Sequence, residues 1–212
     1  MAIRPAWYLS DKCVASKFFN FEWNPGFAPS QKKKNVDNLH KAIKMGSVDN
    51  VLEISTKSNT ELGFNLSAFN LKLNGIHLEN IFQASKKYEH GGPYLDLLNV
   101  SPVDSKRDER HRTSGNLISF VYDSNEWKLS PLTLFYDFIY IKAAFESIPL
   151  SQLSELKNYK WFTDIEFNPK KSINCQARTV AILKLIIEND LQHVMEDLDA
   201  WAIFHTAHVK NN

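Results

Sequence analysis

Leu78-Glu79-Asn80-Ile81-Phe82-Gln83-Ala84-Ser85-Lys86 decides how the middle of this chain is read. Leu78, Ile81, Phe82 and Ser85 recur at three- and four-residue spacing, which predicts one stripe of an amphipathic helix that runs on to a stop at Gly91-Gly92-Pro93. On such a helix Glu79, Gln83 and Lys86 stand at i, i+4 and i+7 and share a second face beside the apolar one. A carboxylate, an amide and an amine aligned along a buried seam can work on a polar substrate. The same three groups also suit an ordinary solvated face, and spacing alone leaves both readings open.

Upstream, Leu71 to Leu73 reads as a strand ending in the turn dipeptide Asn74-Gly75, and Val51 to Ile54 as another strand. Before them Val36, Leu39 and Ile43 mark one face of a helix ended by Gly46, with Lys32-Lys33-Lys34 read as its solvated entrance. Phe18 to Trp23 is rich in aromatics, suits a buried strand, and stops at Asn24-Pro25-Gly26. Downstream, the mixed charge run from Asp104 to Arg112 reads as exposed. Its cations Lys106, Arg107, Arg110 and Arg112 can meet DNA phosphates, while Asp108 and Glu109 argue for a mixed solvated face. Leu117 to Tyr122 reads as a strand. Ser130-Pro131 supplies a cap and an N1 proline for an apolar helix through Phe145, which carries Asp137 and Tyr140. Further helices are expected after Ser172 and after Asp190. The expectation is an α+β fold, mostly helical with a small sheet. One domain would span residues 1–212: an N-terminal extension over about 1–50, a core over about 51–190 and a C-terminal helix over about 190–208.

Composition narrows the function classes. Hydrophobic residues make up 43% of the 212 and aromatics 12%, enough for an ordinary core in which ring packing dominates. Twenty-five basic against 24 acidic side chains leave a net charge of +1, which excludes a general DNA-coating protein but allows local binding. Cys13 and Cys175 are too few for a disulfide scaffold, no C-x-x-C pair is available for zinc, and His205 and His208 lack an acidic or cysteine partner at metal spacing. Phosphate-gripping and nucleophile-elbow motifs are missing. The start of the chain lacks a signal-peptide layout and no apolar run approaches the roughly 20 residues of a membrane span, so the cytoplasm is the expected compartment.

The run Leu66-Ser67-Ala68-Phe69-Asn70, then Leu71-Lys72-Leu73-Asn74-Gly75, then Leu78 to Lys86 resembles the core of the NADAR (YbiA-like) family. Glu79, Phe82, Gln83, Ala84 and Lys86 fall in step with that family's Glu-His-x-Phe-Gln-Ala-x-Lys motif. Asn80 stands where many members have His, and Ala68 where many have Asn. A second, looser patch runs from Trp161-Phe162-Thr163-Asp164-Ile165-Glu166-Phe167-Asn168-Pro169 to Ser172-Ile173-Asn174-Cys175-Gln176-Ala177-Arg178, without the family's Trp-Gly pair. Phe21-Glu22-Trp23-Asn24-Pro25-Gly26-Phe27, Glu53-Ile54-Ser55-Thr56-Lys57-Ser58 and Gly91-Gly92-Pro93-Tyr94 resemble the subgroup encoded beside DarT-type DNA ADP-ribosyltransferase toxins.

The resemblance implies an antitoxin that hydrolyses the N-glycosidic bond between ADP-ribose and guanine in DNA. The implied partners are ADP-ribosylated DNA, ADP-ribose and a genetically linked DarT-type toxin, with no membrane, metal or cofactor. Other members act on a riboflavin-pathway glycoside, and a non-catalytic ADP-ribose- or toxin-binding module is the reading from another class. Under the resemblance Glu79 and Lys86 carry the chemistry, while Ser55, Lys57, Phe69, Asn70, Gln83, Asp164 and Asn174 bind substrate. Phe69, Tyr94 and Trp161 are candidates to stack on a base. Cleavage puts positive charge on C1 and negative charge on the leaving nitrogen, so Glu79 suits proton transfer or oxocarbenium stabilisation. Lys86 suits phosphate binding as a cation or, once neutral, attack on the ring-opened sugar aldehyde.

Overall fold

Trp7, Tyr8, Val14 and Phe19 belong to a hairpin that opens the chain. Its strands β1 (Ala2–Ser10) and β2 (Cys13–Phe21) pair antiparallel with Ser10 opposite Cys13. A computed structural model describes residues 1–46 and 49–209, and its elements group into two units, Met1–Ser67 with Ile148–Asn212 and Ala68–Ser147. The strand expected at Phe18–Trp23 is the end of β2. It lies at an edge of its sheet, which leaves Phe18 exposed while Phe21 is buried.

Helix α1 (Pro29–Lys44) starts at a proline whose fixed φ suits a first turn. Val36, Leu39 and Ile43 are buried against Ala6, Phe21, Trp161 and Ile165, each stabilising the unit by about 1.5–3 kcal/mol. Strand β3 (Val51–Glu53) leads to α2 (Glu61–Asn65), which Thr60 caps by accepting the Gly63 amide at 3.2 Å.

In the second unit β4 (Lys72–Leu73) and β5 (Ile76–His77) form the small hairpin expected around Asn74-Gly75, both at positive φ. Helix α3 (Leu78–Ala84) then ends early, and the chain enters β6 (Lys86–Tyr88) rather than staying helical to Gly91. The reason is competition for backbone partners. The Ser85 hydroxyl donates to the Ile81 carbonyl at 2.8 Å, while the Ser85 carbonyl accepts the Val121 amide at 2.7 Å. Lys86 is thereby moved from the helix to a strand. The charge run folds into two short helices, α4 (Pro102–Arg107) and α5 (Arg110–Thr113). Strands β7 (Leu117–Tyr122) and β8 (Asn125–Lys128) complete a three-stranded sheet in the order β6-β7-β8. Helix α6 (Leu134–Ser147) begins three residues after Pro131, not at it. The Thr133 hydroxyl donates to Asp137 Oδ2 at 2.8 Å, which sets the start and gives the buried Asp137 a structural hydrogen bond. Phe82, Phe120, Phe135, Trp127 and Phe138 pack ring on ring beneath it, with centroids 4.7–5.4 Å apart.

The chain then returns to the first unit. Helix α7 (Leu150–Leu153) precedes β9 (Trp161–Thr163), which inserts between β1 and β3 to give the order β2-β1-β9-β3. Residues read as an extension over about 1–50 thus supply half the strands of this sheet. Helix α8 (Gln176–Glu188) is buried from Gln176 to Ile186 and packs on β1 and β9. Helix α9 (Leu198–His208), capped by Asp197, follows. The fold is α+β, with helices exceeding strands.

Candidate functional site

Glu79, Gln83 and Lys86 form a continuous hydrogen-bonded row in the second unit. Glu79 and Gln83 are one turn apart on α3, and Gln83 Nε2 donates to Glu79 Oε1 at 2.7 Å. Lys86 reaches back from β6, its Nζ donating to Gln83 Oε1 at 2.6 Å and lying 5.2 Å from the centre of the Phe82 ring. The amide of Gln83 therefore has its donor side on the carboxylate and its acceptor side on the amine. Burial pushes the Lys86 amine down to about 8; Glu79 opposes that shift and the Lys106 cation adds to it. Such an amine is partly neutral near pH 8, able to act as nucleophile or base, and it has a carboxylate within one side chain's reach.

The surroundings of this row are ordered. Lys106 Nζ leans to Glu79 Oε1 at 3.7 Å, a long contact from an exposed amine to a half-buried carboxylate. His111 Nε2 donates to the Ser105 carbonyl at 2.9 Å, which leaves Nδ1 to accept the Tyr88 hydroxyl proton at 3.0 Å. Burial pushes the Tyr88 phenol up to about 12, and desolvation lowers His111, so this dyad stays neutral. Tyr94 stacks on Tyr88 with centroids 6.3 Å apart and bonds the Ser114 hydroxyl. Arg110 lies over the Tyr94 ring at 4.3 Å and is held by Asp96 and Asp108. Two carboxylates thus occupy Arg110, and the exposed Lys106 inclines to Glu79, which leaves Arg107 and Arg112 as the exposed cations of the run with no ion-pair partner among the described residues. Asn80, at the family's frequent His position, is buried and donates to the carbonyls of Leu97 and Val100 at 2.7 and 2.8 Å. It pins the following turn to α3. On the other side of α3, Ile81 and Ala84 line an apolar cleft of about 390 Å³ with Leu73, Pro93 and Tyr122.

The first unit holds a separate buried polar network. Glu53 Oε1 accepts the Ser55 hydroxyl at 2.7 Å and the Ile165 amide at 2.9 Å, and Oε2 accepts the Thr163 hydroxyl at 2.6 Å. Since Thr163 spends its only proton on Glu53, His40 Nε2, 2.9 Å from that hydroxyl, is the donor in their bond. Burial, with the Lys44 cation, pushes His40 down to about 4, so its ring is neutral. Asp164 Oδ1 accepts the amides of Glu166 and Phe167 at 3.0 and 3.2 Å. Burial and the repulsion of Glu53 push Asp164 up to about 8; Glu53 is also raised, chiefly by burial.

The predicted site residues therefore divide between the units. Phe69, Asn70, Glu79, Gln83 and Lys86 belong to the second, and the last three touch in sequence. Ser55, Lys57, Asp164 and Asn174 belong to the first. Ser55 lies inside the Glu53 network, Lys57 Nζ donates to Thr56 Oγ1 at 2.9 Å, and Asn174 is half-buried just before α8. Phe69 is exposed, whereas Trp161 is a core ring between Tyr8 and Phe19. Sequence reading passed over Glu53, Thr163 and His40. The signal for Glu53 was there: a carboxylate between Leu52 and Ile54 in an apolar strand needs partners once buried. His205 is buried edge-on to Trp201 and His208 Nδ1 donates to the Lys12 carbonyl at 2.7 Å. A polar cleft of about 560 Å³ in the first unit is lined by two ion pairs, Lys160 with Asp49 and Lys184 with Glu188, together with Lys157. Among the described residues no helix is long and apolar enough to cross a membrane.

Comparison with known proteins gives one family: the profile described as DarT1-associated NADAR antitoxin matches residues 2–212, through both units. No curated protein matches the chain.

Proposed function

The chain belongs to the DarT1-associated NADAR antitoxin family, and from that premise we propose that it hydrolyses the N-glycosidic bond joining ADP-ribose to guanine in DNA. The observation that supports this reading is the Glu79–Gln83–Lys86 row, which sets a carboxylate and an amine of lowered basicity on the two ends of one amide. Bond cleavage needs a proton delivered to the departing base nitrogen and a nucleophile at C1. Glu79 supplies proton transfer and stabilises the oxocarbenium-like charge on the sugar. In one version Lys86 stays charged and holds a ribose or phosphate oxygen while water attacks C1.

In the other version neutral Lys86 attacks C1 of the ring-opened sugar, the base leaves as its amine, and a Schiff base links Lys86 to ADP-ribose. Water then adds to that linkage, releasing the sugar aldehyde and regenerating the amine. Ser55, Lys57, Phe69, Asn70, Asp164 and Asn174 remain the proposed substrate contacts.

A guanine-ADP-ribosylated oligonucleotide incubated with wild type, Glu79→Ala and Lys86→Ala tests the reading. Adduct loss with wild type alone is expected, with the variants at least about 100-fold slower. An adduct that survives wild type while ADP-ribose still binds would sink the hydrolase in favour of a binding module. Borohydride added during turnover separates the two roles of Lys86, since only the Schiff base is trapped.

A further inference from the structure

Helix α1 carries a charge pattern that the reaction above does not use. Its buried face is Asn35, Val36, Leu39 and Ile43, while Lys33, Lys34, Asp37, Lys41 and Lys44 are exposed. At 100° per residue those five positions fall within an arc of about 100°, and Lys33 to Lys44 extend about 16 Å along the axis. Lys32 is held by Glu166 at 2.6 Å, but the four lysines of the stripe have no ion-pair partner among the described residues. Asp37 is the one acid within the stripe, and its Oδ1 accepts from Asn59 Nδ2 at 3.4 Å. In a chain of net charge +1, this helix alone has five lysines against one aspartate.

Just ahead of the stripe, Phe27 is 95% exposed. The loop presenting it is built, not loose. The fully buried Asn35 accepts the Asn24 amide at 2.7 Å on its Oδ1 and donates to the Asn24 carbonyl at 2.9 Å through its Nδ2. Gly26 has φ of +128°, and a Cβ there would sit 2.7 Å from Gln31 Oε1. The clamp fixes the start of the loop on which this ring faces water, open to stack on a planar partner.

We propose that α1 and the Asn24–Ala28 loop form a docking strip for single-stranded nucleic acid, with phosphates along Lys33, Lys34, Lys41 and Lys44 and an unpaired base on Phe27. The strip deepens the proposed DNA reading and rests on it for its biological use. Two features select this occupant. The apolar face of α1 is spent on the core, so the helix has none left to bury in a lipid interface. A lone exposed ring stacks on an unpaired base, which a duplex does not offer.

The test is fluorescence anisotropy of an unmodified, labelled single strand of about a dozen nucleotides, titrated at several salt concentrations. Beside wild type stand a Lys33→Gln, Lys34→Gln, Lys41→Gln, Lys44→Gln quadruple variant and Phe27→Ala. For the quadruple variant the salt slope should fall by about 0.7 for each phosphate that a replaced lysine had neutralised. Phe27→Ala should weaken single-strand binding about tenfold and leave duplex binding unchanged. Equal binding by wild type and the quadruple variant overturns the strip. So does wild type that prefers anionic phosphatidylserine vesicles, or an acidic protein, to the strand. Both variants should still hydrolyse a free ADP-ribosylated guanine nucleoside at the wild-type rate. Strand binding without any hydrolysis supports the strip while overturning the proposed reaction.

Discussion

Gln83 commits its amide nitrogen to Glu79 and its oxygen to Lys86, so charge on either end is felt at the other through one side chain. This coupling makes Lys86 sensitive to its neighbours. Lys106 is among the groups that lower it, and removing that cation by Lys106→Gln should raise the amine again. If the neutral amine attacks the sugar, the rate climbs through about pH 8 and the Lys106→Gln limb shifts to higher pH. If the charged amine only holds an oxygen, activity declines through the same region and that limb likewise shifts upward. A pH–rate profile of the two proteins reads the direction of the limb and its displacement. An unmoved limb would mean that some other group titrates. Lys86→Arg adds a check, since a permanent cation keeps oxygen binding and loses Schiff-base chemistry.

At the level of elements, the position of Lys86 depends on how the chain leaves α3. The Tyr88 amide donates to the Gly91 carbonyl at 2.7 Å, and the Tyr94 amide donates to the Ala84 carbonyl at 2.8 Å. The segment between them folds back on β6 so closely that a Cβ on Gly92, at φ +84°, would overlap the Lys86 carbonyl oxygen. Gly92→Ala should therefore cost at least about 1–3 kcal/mol in urea unfolding and reduce turnover without touching a chemical group. Wild-type stability and activity in that variant would contradict the close approach. These same residues show what a sequence discloses. The stripe Val36, Leu39, Ile43, the Asn74-Gly75 turn and the Leu117–Tyr122 strand were legible because each is a local period or a local turn. Periodicity could not show that Ser85 gives its carbonyl to Val121, because that choice depends on a strand far along the chain. Hence the periodic pattern puts Lys86 on a helix, although its company with Glu79 and Gln83 is legible from spacing. Hairpin β1–β2 was half visible for a related reason, since β2 lies at the sheet edge, which blurs its alternation, and β1 is completed by β9 from far along the chain. Contacts of Glu53 with Thr163 join residues 110 apart, beyond any local signal.

For the whole molecule, the buried carboxylates predict how stability follows pH. Asp164 is raised to about 8 from 3.8, and Glu53 is raised in the same direction. A raised folded pKa means that the folded state keeps a proton the unfolded chain gives up. The stabilisation is complete below about pH 4 and is lost as pH rises through about 8. Asp108, held down to about 2 by Arg110, acts only below that window. Neutral His40, lowered to about 4 from 6.5, opposes this trend up to about pH 6.5, so melting temperature followed by calorimetry should fall most clearly between about pH 6.5 and 8, and Asp164→Asn should flatten that decline. A decline of unchanged steepness in the variant would place its source elsewhere.

The division of the chain has a consequence during synthesis. Ala68–Ser147 is one uninterrupted stretch, whereas the other unit closes β1 and β2 onto β9 and α8 from the far end of the sequence. On the ribosome, the stretch bearing Glu79 and Lys86 has all of its own residues in hand while the opening hairpin still waits for its partners. The lysine-bearing helix remains unfinished until translation has passed Ile165, and the hairpin until it has passed α8. A message cut short before α8 yields Ala68–Ser147 without the strand and helix that complete its companion unit, so the two units are finished at different moments of synthesis.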